Sequence, residues 1–157
     1  MALRFYSSRM ADTSLSAEER SAIKEHVAEL RAAKSRGKSA EKAAAELADC
    51  EAKIAEMPDV DRVIAQALHE IVRTHVPLLA PKTWYGMPAY ARDGKVVVFF
   101  KPAVKFKMRY AEVGFNEHAD LDEGDMWPTV FAVLAMTEQI RAELTRLVIR
   151  ASGPSEP

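Results

Sequence analysis

The chain has 157 residues, 48% of them apolar, a net charge of −1 and a single cysteine, Cys50. That length suits one domain with an appendage and a core that needs no covalent staples. The balanced charge gives no global field for nucleic acid or an anionic membrane, one thiol excludes an intrachain disulfide or thiolate cluster, and no apolar run approaches the ~20 residues of a membrane span.

From the N-terminus, Met1 to Thr13 carry no period and lack the apolar stretch of a signal peptide. Ser16-Ala17-Glu18-Glu19 has capping-box spacing and predicts a helix start, with Ile23, Val27 and Leu30 on one face. Gly37 is a natural stop and Ser39 a natural cap for a second helix. There Ala43, Leu47, Cys50, Ile54 and Met57 recur at alternating spacings of four and three, a narrow seam that predicts an antiparallel helical hairpin or a homodimer through these helices. Met57-Pro58 breaks the pattern. A third helix is expected from about Val60 to His75, its broad apolar face (Ile64, Leu68, Ile71, Val72) suited to covering a sheet.

Beyond Pro77 the period changes to two. Val96 to Phe100 is apolar throughout and reads as a central strand, preceded by the hairpin signal Asp93-Gly94. Phe106, Met108 and Tyr110 alternate with Lys105, Lys107 and Arg109, which predicts a strand with one apolar and one cationic face. Trp127 to Met136 reads as a largely buried strand with Pro128 near its start or on an edge. Thr137 caps a last helix bearing Ile140, Leu144, Leu147, Val148 and Ala151 on one face, and residues 152–157 are expected to be a disordered tail. Strands clustered between helices argue for an α+β fold with an antiparallel sheet.

Three features could carry function. Thr83 to Tyr90 opens an aromatic region holding both tryptophans; its rings are either a pocket wall or a bent core cluster. Lys82 to Arg109 carries seven basic residues against one acid, whereas Glu112 to Asp125 carries six acids and no Lys or Arg. A cleft with a cationic end, built from Trp84, Tyr90, Lys105, Arg109 and Trp127, would hold a small anionic ligand; the alternative is a solvated sheet face beside a neutralising loop. Strict alternation puts Phe106 and Tyr110 opposite Lys105 and Arg109, which disfavours nucleic acid. The acidic loop offers His118, Asp120, Asp122 and Glu123 to a hard divalent cation, although its glycine and closing position do not fit the EF-hand pattern. His69-Glu70 fails as a zinc-protease start because Arg73 stands at the second ligand position, and Cys50 reads as an inert small hydrophobe.

Trp84-Tyr85-Gly86-Met87-Pro88-Ala89-Tyr90, with Asp93-Gly94-Lys95-Val96-Val97 and Met126-Trp127-Pro128-Thr129, resembles the YdhG-like family, a domain family of unknown function. The resemblance spans roughly Pro58 to Ala151. It implies a bacterial cytoplasmic protein with helices around a sheet in a frataxin-like arrangement, and iron as a ligand, since some relatives are described as intracellular iron chaperones. Glu117, Asp120, Asp122, Glu123 and Asp125 would be the acidic counterparts. The resulting expectation is an N-terminal tail and helical hairpin over residues 1–57, an α+β domain over 58–151 and a tail over 152–157. The leading function is non-enzymatic binding of a chaperone-like kind; the alternative is a pocket, catalytic or not, for an anionic metabolite. The only cofactor expected is iron or another divalent cation, with no membrane partner.

Overall fold

A computed structural model of the chain describes residues 15–36 and 40–154, without the side chains of residues 35 and 36. The expectations for Met1 to Thr13, for Gly37 and Ser39, and for the last three tail residues fall outside that range.

The first helix, α1, runs Ala17–Arg36 and starts as its capping box requires. Glu19 N donates to Ser16 Oγ at 3.1 Å and Ser16 N to Glu19 Oε2 at 3.4 Å. Two further helices follow, α2 over Ala40–Ala55 and α3 over Asp59–His75, with Pro58 between them. Five strands come next: β1 Ala80–Trp84, β2 Met87–Arg92, β3 Lys95–Lys101, β4 Ala111–Phe115 and β5 Val130–Val133. They form an antiparallel meander in sequence order. The chain closes with α4 over Glu138–Ala151, where Thr137 accepts from Ile140 N at 3.1 Å. The fold is therefore α+β, an antiparallel sheet packed by helices.

The sheet is built from two tight hairpins. Tyr85 (φ 52°) and Gly86 (φ 73°) join β1 to β2, and Asp93 (φ 51°) and Gly94 (φ 80°) join β2 to β3. Paired positive φ values mark type I′ turns, whose twist matches the flanking strands. A bulge between Tyr90 and Ala91 shifts the β2–β3 register. It lets Val97 and Val98 both join the main core, while Val96 points the other way. Pro88 stands ahead of the first β2–β3 pair, Ala89↔Phe99, where its missing N–H takes no bond from β3.

The two faces of the sheet are covered unequally. On one, Tyr90, Val98, Phe100, Val113 and Phe115 meet Cys50, Ile54, Leu68, Ile71, Leu144 and Val148 in a continuous core. On the other, Ala89, Ala91 and Val96 form a small cluster beneath Trp84 and Phe99. Phe99 also lies over Gly114, where a Cβ would collide with its ring.

Several expectations need correction. The seam residues Cys50, Ile54 and Met57 are buried, but α2 packs chiefly on β1 and β2, and they share the core of the residues after Pro58. Ala43 is exposed. Ile23, Val27 and Leu30 of α1 remain 41%, 42% and 53% exposed, because the helix docks through Ala22, Glu25, His26 and Glu29 instead. No strand forms over residues 105–110. Residues 102–110 are a looped connection, with Lys107 at φ 53°. Its fold is set by Asp61, 1% exposed on α3, whose two carboxylate oxygens accept from Ala103 N and Val104 N at 3.0 Å each. The strand expected over Trp127–Met136 shrinks to the edge strand β5, which is half-exposed because only β4 and one face of core lie beside it. Of the expected tail, Ser152 and Gly153 are the cap of α4, their amides donating to Val148 O and Arg150 O.

Candidate functional site

The pocket expected from Trp84, Tyr90, Lys105, Arg109 and Trp127 is not assembled. Trp84 pairs with Met87 and Tyr90 with Pro81, so strand alternation sends the two rings to opposite faces. Trp84 lies half-buried against Phe99, ring centroids 5.2 Å apart. Tyr90 is fully buried on the helical side. Lys105 is spent on α1, with Nζ 2.7 Å from Glu25 Oε2 and donating to Gly86 O at 3.2 Å. Arg109 is exposed beside the Tyr110 ring, and Trp127 packs on the main core near β5. With the 105–110 strand gone, the alternation argument against nucleic acid also falls.

The expected metal set is dispersed too. Residues 116–125 are strung across the C-terminal end of α4, where Asp120 N donates to Ala151 O at 2.9 Å. Arg150 donates to Asp122 O at 3.2 Å and pairs with Glu123 at 3.6 Å. His118 lies 3.6 Å from its neighbour Glu117. With the backbone committed to the helix end, His118, Asp120, Asp122 and Glu123 splay apart. Among the described residues no three His, Cys, Asp or Glu side chains converge to hold a metal ion.

What the same loop does build is a cleft of about 600 Å³ between the end of β4 and Trp127. Phe115, Leu121 and Trp127 supply an apolar wall; Glu117, Asp122 and Asp125 supply carboxylates; among the described residues no Lys or Arg lines it. Met126, 89% exposed, stands at the lip. An aromatic face beside fixed negative charge attracts cations twice over, through the ring quadrupole and through Coulomb forces. The cleft thus unites Trp127 and Asp122, which the sequence assigns to two different sites. The volume lies within the usual range for small-molecule sites.

Two arrangements escaped the sequence. One is a chain of groups running from the surface into the core: Glu51 to His69 Nε2 at 3.4 Å, His69 Nδ1 to the Tyr90 hydroxyl at 3.0 Å, and that hydroxyl to the Cys50 thiol. Burial pushes the thiol up to about 12, with Tyr90 and the Ala89 backbone opposing it. Burial likewise holds the phenol well above its ordinary value and the His69 imidazole below its own. A thiol so raised and fully enclosed is no nucleophile. The other is the docking of α1 by carboxylates. Glu29 accepts from Tyr85 N at 3.0 Å and Gly86 N at 2.9 Å, Lys107 lies 2.6 Å from Glu18, and His26 stacks on Tyr85 at 3.9 Å. No sequence signal marks the first; the second has only the acids on one side of α1 and the basic run from Lys82 to Arg109.

No family model, curated protein or solved structure matches the chain. The likeness to the YdhG-like family therefore rests on the motif residues themselves. Among the described residues, no helix is long and apolar enough to cross a membrane.

Proposed function

We propose that the protein is a non-enzymatic binding protein whose cleft at Trp127 takes a small organic cation, an alkylammonium or quaternary ammonium group. The observation that carries this reading is a cavity with an aromatic wall and three carboxylates and, among the described residues, no basic side chain lining it. Asp122 and Asp125 would pair with the charge while the apolar part of the ligand rests on Trp127 and Phe115. Iron, which the family resemblance implies, would have to use the same loop; its support is the resemblance.

Titration of a Trp84→Phe variant with tetramethylammonium and with n-butylamine tests the cleft, because Trp127 is then the sole indole reporter. Saturable fluorescence change is expected, and Asp122→Asn/Asp125→Asn should weaken it by roughly tenfold or more. No saturable signal from either amine contradicts the reading, and a response to ferrous iron alone would return the site to metal.

A second reading, the anionic metabolite, finds a seat beside α1, in a hollow that borders the first cleft and shares Asn116 and Glu117 with it. There Trp84, Val96 and Leu30 line a hollow of about 440 Å³ with Lys82 and Lys95. Benzoate in a calorimetric titration of the wild-type chain tests it, with Lys82→Ala/Lys95→Ala as the control.

A further inference from the structure

The sheet is about 20 Å wide, from five strands at ~4.8 Å spacing, and a helix covers about 10 Å. Three helices serve one face. Among the described residues the other has α1 alone, set along the β1 edge and joined to β1 and α2. Beside α1 a trough opens across this face. At its N-terminal half the trough is lined by Ile23, Trp84, Phe99 and Phe106, with a volume of about 380 Å³. It continues past Trp84 to Leu30 and Val96.

The apolar stripe of α1 borders this trough. Ile23, Val27 and Leu30 stand at helical spacings of four and three and are 41–53% exposed. The helix holds to its own protomer with its adjoining side, through Glu25 and Glu29. An exposed stripe of this spacing is what a second helix packs against.

We infer that the trough is filled by α1 of a second copy of this chain, the two helices lying side by side and antiparallel about a two-fold axis. Charge and register select this occupant. The end of the trough near Leu30 holds Lys82 and Lys95 with one acid, Glu117, and the opposite end holds Glu19 and Glu112 with one base, Lys101, so the first is net positive and the second net negative. The helix itself starts acidic, Glu18-Glu19, and ends basic, Arg31 and Lys34. Only an antiparallel neighbour sets unlike ends together. A two-fold axis between His26 and Val27 places Ile23 opposite the partner's Leu30, and Glu19 opposite the partner's Lys34. Such an isologous contact closes on itself and gives a dimer, not a filament.

Sedimentation of the full chain over a range of concentrations tests this. The wild type should reach twice its 17.4 kDa mass. Ile23→Glu/Leu30→Glu should raise the dissociation constant by roughly tenfold or more while the thermal melt of the separated protomer stays in place, since both side chains are exposed there. Glu19→Lys should weaken the dimer, and Glu19→Lys/Lys34→Glu should restore it. Val27→Cys should give a disulfide-linked dimer on mild oxidation, with Cys50 enclosed and silent. A wild type that stays monomeric throughout, or a dimer indifferent to all four changes, overturns the proposal.

Discussion

At the scale of single residues, the buried charge of Asp61 organises more of the molecule than any exposed candidate does. Its two oxygens hold the start of the β3–β4 connection. Asp61→Ala leaves the part-buried amides of Ala103 and Val104 without their acceptors and should cost about 2 kcal/mol in urea unfolding; Asp61→Asn keeps one acceptor and should cost about half as much. No reading of the sequence finds this, because the clamp joins positions 42 and 43 residues apart. His69 is hidden for the same reason. Burial holds its imidazole below the ordinary 6.5, against the pull of Glu51. The unfolded chain therefore takes up that proton at higher pH than the native one. Stability should be full above the ordinary value and fall as pH drops through it toward the native value. Melting from about pH 7.5 to about 5.5 should show this slope, and His69→Gln should flatten it. Cys50 is the opposite case, legible as an inert hydrophobe from its place on an apolar stripe. With its thiol at about 12, it should resist alkylation in the native chain and react once denaturant opens the core.

At the scale of elements, local signals worked where the answer is local. Ser16, Pro58, Asp93-Gly94 and Thr137 all mark real boundaries. The alternation from Lys105 to Tyr110 misled because it lies in a connection whose path is imposed from α3. The face of α1 misled because Ile23, Val27 and Leu30 are not what this protomer buries, while Glu25 and Glu29 are what anchors it. The two hairpin glycines separate these effects. Nothing lies near a Cβ on Gly94, so Gly94→Ala should cost only its backbone strain, about 1 kcal/mol. A Cβ on Gly86 would fall on the Glu25 carboxylate and crowd Lys105. Gly86→Ala should therefore add the release of α1, seen as faster amide exchange in α1 with α3 and α4 still protected.

At the scale of the whole molecule, the covering helices, an antiparallel sheet and its strand β3 follow from periodicity; β1, β4 and the meander order do not, and the sites depend on which face each residue takes. Trp84 and Tyr90 are six residues apart in sequence yet belong to opposite sides, because a two-residue turn and alternation separate them. Trp127 and Asp122 come together because the acidic loop wraps the end of α4. The ligand face is thus the acidic aromatic cleft at Trp127, which meets the Trp84 face that a second copy covers at Asn116 and Glu117. Nitrogen–proton NMR of the wild-type chain during a tetramethylammonium titration reads both tryptophans at once. The account predicts that the Trp127 indole resonance and the amides of Phe115 to Asp125 move saturably while the Trp84 indole stays still. Movement of Trp84 with Trp127 unchanged would contradict it.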